Sequence, residues 1–441
     1  MKAWLDKRFK LTESGTSVRT ELLGGATTFM TMSYIIFVQP AVLGMTGMDR
    51  GAVMVATCLA SSLATLLMGL LARYPIAQAP AMGHNVFFAV IVCGTMGYTW
   101  QVALGANFIS GLLFAALAVA GVWGRVVVAV PDSLKYAIAV GIGWLIAMVG
   151  LQYGGVVVDS PGALVALGDL TAPPVLLTLF GLALTAVLMV LRVPGAILLG
   201  LLGTAAAGLP LGIVKYHGLV APVPSLAPTA LKLDIAGAIQ SGLVTVVFVF
   251  FLLDVFDTMG TLIGVGGAGG FIERGRLPRA DRAMLSDAVG TVGGVLLGTS
   301  TVTSYIESVT GIAQGARTGL ANIMTSALFL VALFFSPLAE MVSGEVVWKG
   351  ATLRPVIAPA LILVGCLMMK CVKRIEWDDL TEAIPAFLCV IAMPLTLSIT
   401  EGISFGFIAY ALLKIASGKG RQVHALVYLF AALFVLRYVL M

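Results

Sequence analysis

An all-α polytopic membrane protein is the fold class this sequence predicts, on three observations. Hydrophobic residues form 59% of the 441 residues and charged residues only 11%, against about 25% charged in soluble domains. Apolar runs long enough to span a bilayer, roughly 20 residues each, recur throughout, as at 52–71, 102–122, 237–253, 320–335 and 355–369. Lysine and arginine concentrate on alternate connections, as membrane insertion imposes. No separate soluble domain is expected.

Taken in order, residues 1–23 begin MKAWLDKRFKLTESGTSVRTE. They are polar and lack the apolar core and small-residue cleavage site of a signal peptide, so a retained cytoplasmic tail is expected. Fourteen candidate segments follow, at 24–46, 51–72, 79–96, 101–123, 133–151, 174–191, 194–210, 237–262, 283–298, 300–316, 319–339, 355–371, 381–399 and 402–416. With the N-terminus inside, only Arg50, Lys215, Lys232, Lys349 and Arg354 fall on the outer side. The tails and inner connections hold Lys2, Lys7, Arg73, Arg125, Arg192, Arg274, Arg276, Arg279, Arg282, Arg317, Lys373 and others. One missed or invented helix would scramble every later connection, so the partition supports both ends on the cytoplasmic face of a cell (inner or plasma) membrane. The net charge of +5 then reports orientation and calls for no nucleic-acid partner. Residues 417–441 form a last segment whose apolar part, 422–440, fits either an additional span or a helix lying at the inner interface. The five cysteines, Cys58, Cys93, Cys366, Cys371 and Cys389, have no metal-ligand or paired spacing and are read as reduced core residues.

Seven segments precede the proline-rich outer linker at 214–236 and seven follow it, which gives repeats at 24–213 and 237–416. An odd number per half makes the halves enter the membrane in opposite senses, the plan of inverted-repeat secondary transporters. The halves share an oddity. Segment three is preceded by RYPIAQAPAMGHN (73–85), where Pro75, Pro80 and Gly83 forbid a continuous helix. Segment ten is preceded by GTSTVTSYIE (298–307), rich in β-branched and hydroxyl residues. Both predict a short extended stretch leading into a half-helix, a geometry tolerated at membrane depth only where it is buried or lines a cavity.

Most acids fall in tails and connections, whereas Asp254, Asp257 and Glu307 fall within apolar segments. A charged aspartate at a helix centre costs about 2.5–3.5 kcal/mol on the insertion scale, so three such acids point to function. Asp254 and Asp257, at i and i+3, share one helical face. Two carboxylates this close resist simultaneous ionisation, so at least one is expected to exchange protons, as a proton-coupled carrier requires. Glu307 follows the second extended stretch, at the expected start of a half-helix whose N–H groups attract an acceptor or anion. Its carboxylate suits the N–H groups of a flat heterocycle, with Thr299, Ser300, Thr301 and Thr303 as further partners. Asn85, in the matching stretch, offers a donor beside an acceptor, the pattern that reads a purine edge.

Plainer readings stand beside these. They have the acid pair bonding a neighbouring helix, Glu307 capping a broken helix, Asn85 satisfying backbone exposed by the break, and His84 as a packed histidine. Phe87, Phe88, Phe248, Phe250 and Phe251 read as core or lipid-facing residues, with stacking on a base as the alternative. Gly264, Gly266, Gly267, Gly269 and Gly270 lack the flanking strand and Lys-Ser/Thr ending of a nucleotide loop and read as a flexible end to segment eight. Gly24, Gly25, Gly141, Gly143, Gly290, Gly293 and Gly294 suggest close helix packing.

The stretches GATTFMTMSYIIFVQPAVL (25–43), APAMGHNVFFA (79–89), DVFDTMGTL (254–262), GTSTVTSYIESVTGIAQGARTGL (298–320) and EWDDLTEAIPAFLCVIAMPLTLSITEGISFGFIAY (376–410) resemble those of the AzgA-like purine permeases. These belong to the nucleobase cation symporter (nucleobase/ascorbate transporter, xanthine/uracil permease) superfamily, and the resemblance runs along nearly the whole chain. It implies core segments at 24–123 and 237–339, gate segments at 133–210 and 355–416, a possible homodimer, and import of adenine, guanine or hypoxanthine with protons. It also implies that Asn85, Asp254 and Glu307 bind the base and that Asp257 supports coupling. Ala81 and His84 depart from the family pattern PGMGLNA, which has glycine and leucine there, and so bear on which purine fits. Rival readings are a carrier of xanthine, uracil or an inorganic anion on the same fold, a channel, and a membrane-embedded enzyme. An anion carrier should offer positive charge where this chain offers carboxylates. An enzyme would need a nucleophile with its base or a metal cluster, and of three histidines, His217 and His424 fall outside the expected site. No cofactor and no metal are expected, only a coupling proton.

Overall fold

A computed structural model describes residues 6, 8–120, 130–160, 164–216, 218–240, 243–272, 277–342 and 344–440. The end of segment 101–123 and the residues Lys2, Lys7, Arg125, His217, Arg274 and Arg276 lie outside the described residues. The chain separates into two packed units, one made of 1–120 with 152–360 and the other of 121–151 with 361–441. Seven helices among the described residues are long and apolar enough to cross a membrane, from Val18–Thr46 to Leu320–Val342. Shorter apolar helices lie at Met82–Thr95, Ala196–Gly208, Leu380–Thr396 and Ala425–Leu436. The protein is therefore an all-α polytopic membrane protein.

In the first unit, α1 (Val18–Met32) starts ahead of the apolar run at residue 24 because the Ser17 side chain accepts the Thr20 N–H. Glu21 is thus helical and wholly buried, and not part of a tail. Its carboxylate accepts the backbone N–H groups of Arg317 (2.7 Å), Thr318 (3.2 Å) and Ala321 (3.2 Å). It thereby satisfies the first turn of a helix that begins at Leu320. At Gly24 an added Cβ would lie 2.7 Å from the Ala316 Cβ and 2.9 Å from the Gly311 carbonyl, so the expected close packing is real there. At Gly293 the nearest atom is Leu63 Cδ2 at 3.6 Å, an ordinary contact that does not require glycine.

Segment 24–46 is not one helix. At Ser33 and Tyr34 the ladder tightens, with Ile36 N–H bonded to Ser33 O and Phe37 N–H to Tyr34 O, both at 3.1 Å. The Ser33 hydroxyl competes for the Met30 carbonyl at 3.2 Å. The chain resumes as α2 (Ile35–Leu43), with Pro40 inside it. Next come α3 (Arg50–Leu67), ending in widened turns at Met68–Ala72, strand β1 (Gln78–Pro80), and α4 (Met82–Val86) with widened turns at Phe87–Thr95. They are followed by α5 (Trp100–Val119) and α6 (Asp132–Tyr153). The hairpin β2 (Val157–Ser160) with β3 (Leu164–Leu167) precedes α7 (Pro173–Val190) and α8 (Ala196–Gly208).

The eighth segment divides into α9 (Ile235–Gln240) and α10 (Val244–Ala268). The latter carries Gly264, Gly266 and Gly267 in regular helix, which corrects the flexible end expected there. Inside an apolar environment the helix is the cheapest way to satisfy backbone groups, and this outweighs about 1 kcal/mol per glycine. Then follow α11 (Ala280–Leu297), β4 (Val302–Ser304), α12 (Ser308–Ala313), α13 (Leu320–Ala332) and α14 (Ser336–Val342). A second hairpin, β5 (Val346–Trp348) with β6 (Ala351–Leu353), turns through Lys349 and Gly350, both at positive φ. Both hairpins were unforeseen, being short pairings in connections that hydropathy alone does not resolve. Helix α15 (Ala358–Met368) follows.

The second unit contains most of α6, the end of α15, α16 (Leu380–Thr396), α17 (Ile399–Ala416) and α18 (Ala425–Leu440). Asp379 caps α16 through the Thr381 N–H, and Ser398 caps α17 through the Glu401 N–H. The Lys414 ammonium lies 2.8 Å from Glu382 across the α16–α17 hairpin. Phe407 holds α18 against α17, its ring centroid 5.8 Å from that of Phe430 and 6.1 Å from that of Phe434.

The two extended stretches of the first unit meet. Strands β1 and β4 pair antiparallel with Gln78 opposite Ser304, Ala79 opposite Thr303 and Pro80 opposite Val302. The ladder continues through Ala81 N–H to Thr301 O (3.0 Å) and Tyr305 N–H to Ala77 O (2.9 Å). A two-stranded ribbon has open edges, and buried backbone cannot be left unpaired. A threonine closes each edge. Thr65 of α3 donates to the Gln78 carbonyl and accepts its N–H, both at 2.9 Å. Thr291 of α11 donates to the Val302 carbonyl at 2.8 Å and accepts its N–H at 3.2 Å. The same device therefore recurs in both halves of the chain. Thr65→Val and Thr291→Val should each destabilise the protein by about 2 kcal/mol, since each strips two partners from buried backbone. Thermal unfolding in detergent measures this, and a much smaller loss at either position would show that water or another group closes that edge.

Candidate functional site

The paired strands deliver their side chains to a polar cluster walled by α2, α4, α5, α10 and α11. Helix α10 brings Asp254, Asp257 and Thr258 to one face. Asp254 is fully buried, with its Oδ1 3.3 Å from Nε2 of the equally buried His84. The two atoms lack hydrogen-bond alignment, and Ser110 donates to Oδ2 at the longer distance of 3.5 Å. His84 is thus neither a bare apolar filler nor open to the surface. It sits against the acid that the sequence singles out, and ionisable side chains within a membrane protein pair in this way. Asp257 is half-buried and accepts the Thr303 hydroxyl on Oδ2 at 3.3 Å. Glu307, also half-buried, accepts the Tyr34 hydroxyl on Oε1 at 2.8 Å. It directly precedes α12. That helix has only six residues, so its dipole is small and a hydroxyl is the partner instead.

Asn85 and Ser300 lie deeper. The Asn85 amide donates to Gln39 Oε1 and accepts the Ser300 hydroxyl, while Gln39 donates to Thr299 Oγ1 at 2.9 Å and to Ser300 Oγ at 3.0 Å. Both ends of the Asn85 amide thus have protein partners in this structure. The network ties α2 and α4 to the chain entering β4. Thr301 donates to Asn107 Oδ1 at 2.7 Å, which leaves the buried Asn107 Nδ2 without a partner. Thr303, in β4, is buried behind Asp257.

Sequence reasoning missed several members. Asp287, within segment 283–298, is a fourth acid inside an apolar segment, and placing acids other than Asp254, Asp257 and Glu307 in tails and connections is corrected here and at Glu21. Asp287 accepts Gln78 Nε2 at 2.6 Å and the Thr258 hydroxyl. The signal was legible, because Asp287 stands within an apolar segment like the other three. Gln39, Gln78, Tyr34 and Asn107 gave no comparable signal, since a neutral polar residue in an apolar segment is common. Phe87 and Phe250 pack edge to face at 4.9 Å between centroids, the core reading. No cluster of three or more His, Cys, Asp or Glu suited to a metal ion occurs among the described residues.

Acids held by hydroxyls and amides within apolar helices, around a broken and re-paired backbone, define a polar site inside a multi-pass membrane protein. The chain belongs to the Permease family, whose model matches residues 19–405. It is similar to the adenine permease AdeP of Escherichia coli (strain K12), with 43% identity over 436 residues covering 99% of this chain and 96% of AdeP. It is also similar to the guanine/hypoxanthine permease PbuG of Bacillus subtilis (strain 168), with 44% identity over 443 residues covering 98% of each. Among solved structures, the transmembrane domain of the cyanobacterium bicarbonate transporter BicA shares the fold, with a TM-score of 0.62 at 16% identity over 89% of this chain and 97% of that domain.

Gln39→Leu should destabilise the protein by about 2–3 kcal/mol, because the buried Asn85 amide loses its acceptor. Thermal unfolding in detergent checks this, and an unchanged midpoint would mean that the network re-forms without Gln39.

Proposed function

We propose that this protein is a secondary transporter that imports purine nucleobases, namely adenine, guanine and hypoxanthine, together with protons, by alternating access. One observation carries the reading. Asp257 and Glu307, from two different elements, each commit one oxygen to a protein hydroxyl and keep the other without a side-chain partner among the described residues. Both are half-buried, so acceptors reach the accessible side of the cluster. A flat base with ring and exocyclic N–H groups supplies the matching donors. The names of AdeP and PbuG, for adenine and for guanine and hypoxanthine, support the choice of purines.

In this reading Glu307 and Asp257 meet the base first. Asp254, backed by His84, lies behind them and serves base binding and coupling. Asn85, Ser300, Thr301 and Thr303 shape the floor through the strand pair, and the base reaches Asn85 by displacing a network partner. The proton travels on the carboxylates, since a buried acid is cheapest to carry neutral. The scaffold is read as fourteen spans in a seven-plus-seven inverted repeat with both termini cytoplasmic. Core segments at 24–123 and 237–339 move against gate segments at 133–210 and 355–416. The repeated threonine closure at Thr65 and Thr291 supports the repeat.

Cells lacking their own purine uptake and expressing this chain should accumulate labelled adenine, guanine or hypoxanthine, and a proton uncoupler should abolish the accumulation. Uptake confined to xanthine or uracil would replace the substrate class, and purine uptake indifferent to the uncoupler would remove the coupling. Glu307→Gln should weaken purine binding in detergent by about tenfold or more, the value of a hydrogen bond to a charged acceptor. In a cysteine-free background, a cysteine at Lys232 should react with an impermeant maleimide from outside and one at Arg282 only after permeabilisation. The opposite pattern would invert the topology.

A further inference from the structure

We propose that Tyr34 is a positioning residue of the carrier site, holding Glu307 so that a single carboxylate oxygen is presented to the base. The proposal rests on Glu307 being a base contact, as read above. Tyr34 sits at the tightened turn between α1 and α2 and is 2% exposed, so its ring is fixed by packing. Its hydroxyl reaches across the chain to Glu307 Oε1 at 2.8 Å. One helical turn before, the Thr31 and Thr310 hydroxyls meet at 3.0 Å, so α1 and α12 are already docked beside this bond.

Glu307 sits at the cap position of α12 without a side-chain cap bond to that helix. Tyr34 is its only side-chain hydrogen-bond partner among the described residues. A half-buried glutamate with no such partner would sample several rotamers, and a base would have to order it on binding. The tyrosine does that ordering beforehand. It also takes up one oxygen, leaving Oε2 to accept from the base. The turn at Ser33 and Tyr34 thus has a use beyond accommodating a broken helix: it aims a hydroxyl from the first half of the chain at an acid in the second.

Tyr34→Phe removes only the hydroxyl and tests this in purified protein with labelled hypoxanthine as the probe. Affinity should fall by about tenfold with the unfolding midpoint unchanged, and the same substitution placed on Glu307→Gln should cost nothing more. Thr31→Val, which cuts the neighbouring bond between α1 and α12, should leave affinity at the wild-type value. An infrared reading needs no ligand: the carboxylate stretch identified by its loss in Glu307→Gln should shift in Tyr34→Phe. Unchanged affinity in Tyr34→Phe, equal losses in both backgrounds, or an unmoved stretch would each overturn the proposal. An infrared shift in Tyr34→Phe together with a wild-type protein that binds no purine would sustain the Tyr34–Glu307 arrangement and overturn the purine reading.

Discussion

Extended backbone buried among helices is the constraint on which the rest of this structure depends. A helix satisfies its own N–H and C=O groups, whereas a strand does so only through a neighbour. Strands β1 and β4 satisfy each other along one edge, and Thr65 and Thr291 close the two outer edges. With these backbone groups answered, the chain holds two non-helical stretches among apolar helices. The antiparallel pairing also fixes which side chains face the cluster. Register placing Ala79 opposite Thr303 sets Gln78 and Ser304 together, and both contribute to the surroundings of Asp287.

From that ribbon follows the distribution of acids. Asp254 and Asp287 are fully buried, one against His84 and the other against Gln78 and Thr258. Asp257 and Glu307 reach the accessible side, each held by one hydroxyl. Depth separates their work. A carboxylate sealed from water has its neutral or paired state strongly favoured, and a half-open one is free to meet a ligand.

The position of the polar cluster in sequence was legible to a large degree. Asp254, Asp257 and Glu307 stand out because an acid within an apolar segment is expensive, and that expense is visible residue by residue. The two broken stretches were legible because proline at 75 and 80 and β-branched hydroxyl residues at 299–303 disfavour helix. Asp287 passed unnoticed although it carried the same signal. Tyr34 and Gln39 carried none, since a tyrosine or glutamine in an apolar helix fits many roles and only a partner distant in the chain reveals which. Helix ends were misjudged where a side-chain cap, as at Ser17, extends a helix beyond its apolar run.

The sequence by itself determined the class of protein, the apolar runs, the breaks and the acids, because hydropathy, helix propensity and the insertion cost of charge are local quantities. Only the tertiary structure decided that the two breaks pair with each other, that His84 faces Asp254, that Asn85 is engaged by Gln39 and Ser300, and that Tyr34 reaches Glu307. These are contacts between residues far apart in the chain. Hydrogen-bond partners are chosen by geometry after the helices have packed, and no periodicity along the chain encodes them.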